Sequence, residues 1–179
     1  MIKSEEYKED LIKIAKKLER FPQSYPKDEN REPTETYLEY LSLMYEPKIA
    51  KLVQHLPVFP KTISIVKFAK QADMDKEELI NILEDITERG FIIKLGRSYA
   101  QPMPLFVYDI PFILKKNIEH EDAKKFAELS RKFFVEDQYY NTWQTSKKGV
   151  PRFRVLTVSE EIEPEKEIVP IEEIYKIID

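Results

Sequence analysis

Apolar residues recur at helical spacing through the first third of the chain, and polar punctuation divides them into three runs. Tyr7, Leu11, Ile14 and Leu18 lie three or four positions apart, which places them on one face of a helix. Ser4 precedes this run and Glu5 and Glu6 open it. A hydroxyl able to accept from first-turn amides, with acids beside the positive helix end, predicts the start there. The helix should stop near Arg20, before Phe21-Pro22, and the proline-bearing polar stretch from Pro22 to Pro33 reads as a loop. Thr34 to Met44 predicts a second helix with Tyr37, Leu38, Leu41 and Met44 on one face. Pro47 suits the first position of a third, whose apolar members are Ile49, Leu52, Val53 and Leu56.

The pattern then changes period. Residues 61–71 predict an amphipathic helix with Ile65, Phe68 and Ala69 inward, and Ala72-Asp73-Met74 is a short turn. Asp75 stands at a cap position with Glu78 three residues on, the arrangement of a capping box. Leu79, Ile82, Leu83 and Ile86 give the next helix its stripe, and Gly90 ends it. Two short β runs, Phe91 to Leu95 and Ser98 to Met103, flank Gly96-Arg97, a hairpin turn. Helix, helix, turn, helix, hairpin is the order of a winged helix-turn-helix, here over residues 47–103.

After Met103, prolines punctuate an extended apolar run, Leu105-Phe106-Val107-Tyr108. A helix is expected from about Glu121 to Asp137 with Phe126, Leu129, Phe133 and Phe134 buried. Residues 138–152 read as a polar loop holding Trp143, Arg152 to Val158 as a β run, Glu160 to Glu167 as an acidic loop, and a last helix from Pro170 carries Ile171, Ile174 and Ile177. The fold class expected is therefore α+β and mainly helical, in three parts. N-terminal helices occupy 1–46, the winged-helix domain 47–103, and a helix-and-strand extension packed with it 104–179.

Composition narrows the function. The 179 residues contain no cysteine, which removes disulfides, thiolate metal sites and cysteine nucleophiles. The three glycines, Gly90, Gly96 and Gly149, are scattered, so no glycine-rich phosphate-cradling loop is present and an ordinary nucleotide site is not expected. No apolar run approaches the roughly 20 residues that span a bilayer, and the charged N-terminus does not resemble a signal peptide. A cytoplasmic protein with no membrane partner is expected. Charges nearly cancel, 29 basic against 33 acidic, so no global field draws the chain onto nucleic acid.

A winged helix raises DNA binding, because its third helix enters the major groove. In that helix, residues 75–89, six acids (Asp75, Glu77, Glu78, Glu84, Asp85, Glu88) face two bases (Lys76, Arg89), a local net of −4. Its outward face includes Glu77, Asn81, Glu84 and Glu88. Affinity for DNA rests largely on neutralising phosphates, and this helix does the opposite. If DNA is bound, the phosphate contacts are Lys76, Arg89, Lys94 and Arg97, in a transcriptional regulator acting as a dimer. His55 and His120 are far apart and outside metal-ligand spacings. His55 reads as a partner of a helix C-terminus and His120 as a solvated helix start. The glutamates of 160–167 share one environment, unlike the paired carboxylates of acid–base catalysis, and no GxSxG motif is present. No enzyme is expected. Tyr139, Tyr140 and Trp143 are either core aromatics or interface anchors. Lys147, Lys148, Arg152 and Arg154 form the most basic stretch, either a solvated loop or contacts for an acidic partner.

Three segments together resemble the N-terminal winged-helix region of archaeal and bacterial 4Fe-4S ferredoxin-type proteins. They are Ala72-Asp73-Met74-Asp75-Lys76-Glu77-Glu78-Leu79 through Arg89-Gly90-Phe91-Ile92, Pro102-Met103-Pro104-Leu105-Phe106-Val107-Tyr108-Asp109-Ile110 with the later Phe126-Ala127-Glu128-Leu129, and Pro151-Arg152-Phe153-Arg154-Val155-Leu156-Thr157-Val158 running to Ile168-Val169-Pro170. The resemblance covers residues 36–178 and implies a non-catalytic module of a redox protein, which docks a partner or positions a cluster domain. In such proteins the cluster-ligating cysteines follow the last helix. This chain has none, so the resemblance transfers no cofactor-binding or metal residue, and the 4Fe-4S clusters it implies belong to a part outside this chain.

Overall fold

Ser4 begins the first helix as its position predicts. In the computed structural model, which describes residues 2, 4–21, 24–103, 120–145 and 150, its Oγ accepts from the Tyr7 amide at 3.3 Å. Helix α1 (Glu5–Lys16) follows, continued by a 3₁₀ turn (Lys17–Arg20). Tyr7, Leu11, Ile14 and Leu18 are all buried. Thr34 caps α2 (Glu35–Met44) through the Tyr37 amide at 3.3 Å. Pro47 opens α3 (Pro47–Val53), where its missing N–H costs no helical hydrogen bond.

The next segment is a strand–helix–helix–hairpin unit. Strand β1 (Ile63–Ser64) leads into α4 (Ile65–Ala72), the turn at Asp73 and α5 (Lys76–Glu88). The pattern predicts helix from residue 61; instead Ile63 and Ser64 are extended and pair with Tyr99 and Ser98, because an extended Ser64 is what caps α4. Asp73 takes a left-handed conformation, φ 48°, which lets the Met74 amide reach back to Ala69. Asp75 Oδ1 accepts from the Glu77 and Glu78 amides at 2.8 and 3.1 Å. At the far end Gly90, φ 77°, lets its own amide bond Thr87 and that of Phe91 bond Ile86. These are the two hydrogen bonds of a Schellman stop. Strands β2 (Ile93–Leu95) and β3 (Ser98–Ala100) close around Gly96-Arg97 in an antiparallel sheet of order β1-β3-β2. Gly96 has φ 59° and open space where a Cβ would sit, so the backbone angle alone calls for glycine there.

Helix α6 (His120–Arg131) ends earlier than the pattern predicts and passes into a π-helical turn (Lys132–Glu136). The polar loop expected over 138–152 is corrected: Tyr139–Gln144 is a helix, α7, entered through a positive φ at Gln138. The cause is packing. The wide turn places Phe133 edge-on to both Tyr37 and Tyr40 of α2, and Tyr139 then meets Phe133 at 6.0 Å. The runs at 105–108 and 152–158, the acidic loop at 160–167 and the helix from Pro170 lie outside the described residues.

The described chain is mainly helical, with seven α-helices and one small antiparallel sheet, an α+β composition. A single buried cluster runs from Tyr7 to Tyr139. It crosses the boundary at 46/47: the Tyr7 hydroxyl donates to the Tyr45 carbonyl at 2.6 Å, and the Tyr45 hydroxyl to that of Phe91 at 2.7 Å. Helix α6 packs chiefly on α2 and reaches the hairpin unit through Phe126 against Phe91, 6.0 Å between rings.

Candidate functional site

The helix that would read a groove is acidic outside and tied down at its middle. Glu77, Asn81, Asp85 and Glu88 of α5 are exposed. Glu84, expected among them, turns toward the hairpin instead. Its carboxylate accepts from the Tyr99 hydroxyl on β3 and lies 2.7 Å from Lys94 Nζ on β2. One carboxylate therefore joins the helix to both strands of the hairpin. Lys94 and Tyr99 hold the Glu84 carboxyl below the usual carboxylate range. Burial, with Glu84 beside it, pushes the Tyr99 phenol upward. A line of sequence does not show this junction, because it depends on the register Lys94↔Tyr99 across the hairpin.

The four cations assigned to DNA phosphates separate into two kinds. Lys94 is held by Glu84, and Arg89 lies 3.9 Å from Asp85 with its guanidinium 4.7 Å over the Phe91 ring. Lys76 and Arg97 are exposed and form no ion pair among the described residues. A groove-reading face built on these four keeps two.

The aromatic anchors separate likewise. Tyr139 is 2% exposed and its hydroxyl donates to the Ser24 carbonyl at 3.1 Å, which removes it from any contact surface. Trp143 is half-buried against Phe134 and Tyr139, with ring centroids 6.0 and 6.4 Å apart. Tyr140 is exposed. Lys147, Lys148, Arg152 and Arg154 lie outside the described residues.

Other polar groups serve the fold. Lys17 Nζ donates to the Leu56 carbonyl at 2.7 Å, Arg20 to that of Val58 at 2.7 Å, and buried Gln101 to that of Val53 at 2.6 Å. Together they satisfy carbonyls at the end of α3 and in the loop beyond. Burial pulls the Lys17 ammonium down to about 8, with Arg20 adding to the effect. The helical pattern of α1 leaves out Asp10, which is buried and accepts from Gln54 Nε2 at 2.8 Å across to α3. His55 is exposed just after α3. A shallow groove of about 450 Å³ lies between α2 and α6, with Leu43 and Leu129 among Glu39, Lys125, Glu128 and Lys132.

Among the described residues no three histidines, carboxylates or thiols are grouped as metal ligands. The sequence has no cysteine to hold an iron–sulfur cluster, so the residues of this chain do not fit the 4Fe-4S group implied by the resemblance. No helix among the described residues is long and apolar enough to cross a membrane. The chain matches no family model, no curated protein and no solved structure.

Proposed function

We propose that residues 47–103 form a winged helix that serves as a non-catalytic protein-docking module. In line with the resemblance, its partner is the cluster-bearing part of a 4Fe-4S ferredoxin-type redox protein. The helix–turn–helix of α4 and α5, followed by a hairpin that pairs with β1, supports the fold assignment. The observation that carries the function is the state of α5. Its exposed side is acidic, and the hairpin lysine nearest to it is already spent on Glu84. Phosphate binding requires the reverse.

Fluorescence anisotropy with a short labelled DNA duplex at low salt tests this reading. Non-specific binders reach Kd of about 10⁻⁴ to 10⁻⁶ M at physiological salt, and no saturation in that range is expected even at low salt. Submicromolar, salt-sensitive binding would overturn the proposal in favour of a DNA-binding regulator, for which Lys76 and Arg97 remain open. Reversing Lys147, Lys148, Arg152 and Arg154 to glutamate should weaken capture of a reconstituted 4Fe-4S ferredoxin domain, and unchanged capture would remove that stretch from the interface.

A further inference from the structure

The other side of the same unit has the opposite character. Leu95, Ser98 and Ser64 are registered neighbours across the three strands, so they stand in one row on one face of the sheet. Ser64 also caps α4. The row therefore runs directly into the first turn of that helix, at Val66 and Lys67. The hairpin turn is fastened at this point, since the Ile65 amide donates to the Arg97 carbonyl at 3.0 Å. From there Val66, Lys70, Met74 and Lys76 bound a hollow of about 450 Å³ that reaches the start of α5.

Two features on this face lack a partner among the described residues. Val66 and Leu95 are 52% and 50% exposed, aliphatic side chains open to water. Around them Lys67, Lys70, Lys76 and Arg97 are exposed, and none is in an ion pair among the described residues. Asp73 and Asp75 also border the hollow, but the Asp75 carboxylate is turned onto the α5 amides.

We propose that this face, from the hairpin turn along α4 to the start of α5, docks an acidic protein segment that carries aliphatic side chains between its carboxylates. Charge complementarity sets the sign of the partner. Val66 and Leu95 select protein over nucleic acid, whose phosphate backbone offers nothing to bury two aliphatic side chains. The acidic flank of α5 repels a long polyanion, whereas a short segment can stay clear of it. The inference rests on reading the unit as a protein-docking module and names a docking surface within the unit itself, separate in sequence from the basic stretch Lys147, Lys148, Arg152 and Arg154.

The probe is a fluorescein-labelled peptide in which glutamates alternate with isoleucine and valine, titrated into the full chain by anisotropy alongside a DNA duplex. Three double variants, each checked for folding by circular dichroism, are compared: Val66→Ser with Leu95→Ser, Lys67→Glu with Lys70→Glu, and the charge-matched control Lys124→Glu with Lys125→Glu on α6. The expected result is saturable, salt-weakened peptide binding that falls at least about fivefold in the first two variants and is retained in the control. Absent peptide binding, or equal loss in both charge reversals, overturns this surface and leaves the docking reading standing. Tighter binding to the duplex, lost with Lys67→Glu and Lys70→Glu, overturns both.

Discussion

The hairpin unit and the aromatic seam are held together by different kinds of contact. In the unit, the caps and turns rest on contacts short in sequence, Asp75 to the Glu78 amide, Phe91 to Ile86, and Leu95 against Ser98 around Gly96, while the pairing of β1 with β3 reaches further. In the seam, Tyr37 and Tyr40 on α2 meet Phe126 and Phe133 on α6 and the π turn, residues more than 80 positions apart. The caps and hairpin of the unit can form locally, while the seam exists only once the chain has closed on itself. The unit also leaves two contrasting faces exposed, whereas the seam is almost entirely buried. Loss of the seam should therefore cost stability, and changes on the unit's faces should alter binding with little cost to the fold.

The largest expected effect tests the seam. Phe133 is fully buried and touches rings of Tyr37, Tyr40, Phe134 and Tyr139. Phe133→Ala should lower unfolding free energy by about 3–5 kcal/mol, read by urea denaturation with circular dichroism. A loss below about 1 kcal/mol, the size of an ordinary point mutation, would mean that the seam is not what holds α6 to α2.

A smaller effect tests the local geometry of the unit. Gly96→Ala meets no steric obstacle but must hold φ near 59°. A loss of about 1–2 kcal/mol is expected from backbone strain alone. Hydrogen exchange should show the hairpin loosened while the seam stays protected; loosening throughout would mean that the two regions do not separate.

The smallest effect concerns the Glu84 junction. Glu84→Gln should cost only about 0.5 kcal/mol, because the pair is part-exposed and screened. Its pH dependence sharpens the test. The folded-state carboxyl sits below its ordinary value of 4.5, so the stabilisation is present above pH 4.5 and is lost as pH falls through the folded value. The gap between wild type and variant should be constant near neutrality and close in acid. A gap that never closes in acid, even once the carboxyl is fully protonated, would assign the effect to shape and not to charge.

Much of the unit was legible from the chain. Asp75, Gly90 and Gly96 mark where α5 and the hairpin start or stop, and helical spacing picks out Phe68, Leu79, Leu83 and Ile86 as buried, whereas the cap at Ser64 was missed and α4 was expected to begin at residue 61. The acidity of α5 was legible too, though not the inward turn of Glu84. The seam was half legible. Phe126 and Phe133 were expected in the core, but the break into a π turn and the helix at Tyr139 were not. A polar composition over 138–145 hides an element whose reason to form is the ring surface it covers.

Caps, stripes and turn glycines were settled by composition and spacing, because each acts on amides or side chains within about four residues of itself. Three features lay beyond that range. They are the junction of α5 with both hairpin strands through Glu84, the pairing of β1 with β3, and the placing of two exposed aliphatics among four cations from the hairpin turn across α4 to the start of α5. Each depends on residues that become neighbours only when strands register and helices pack. A linear pattern carries the period of a face, but what that face meets is set by closure of the chain.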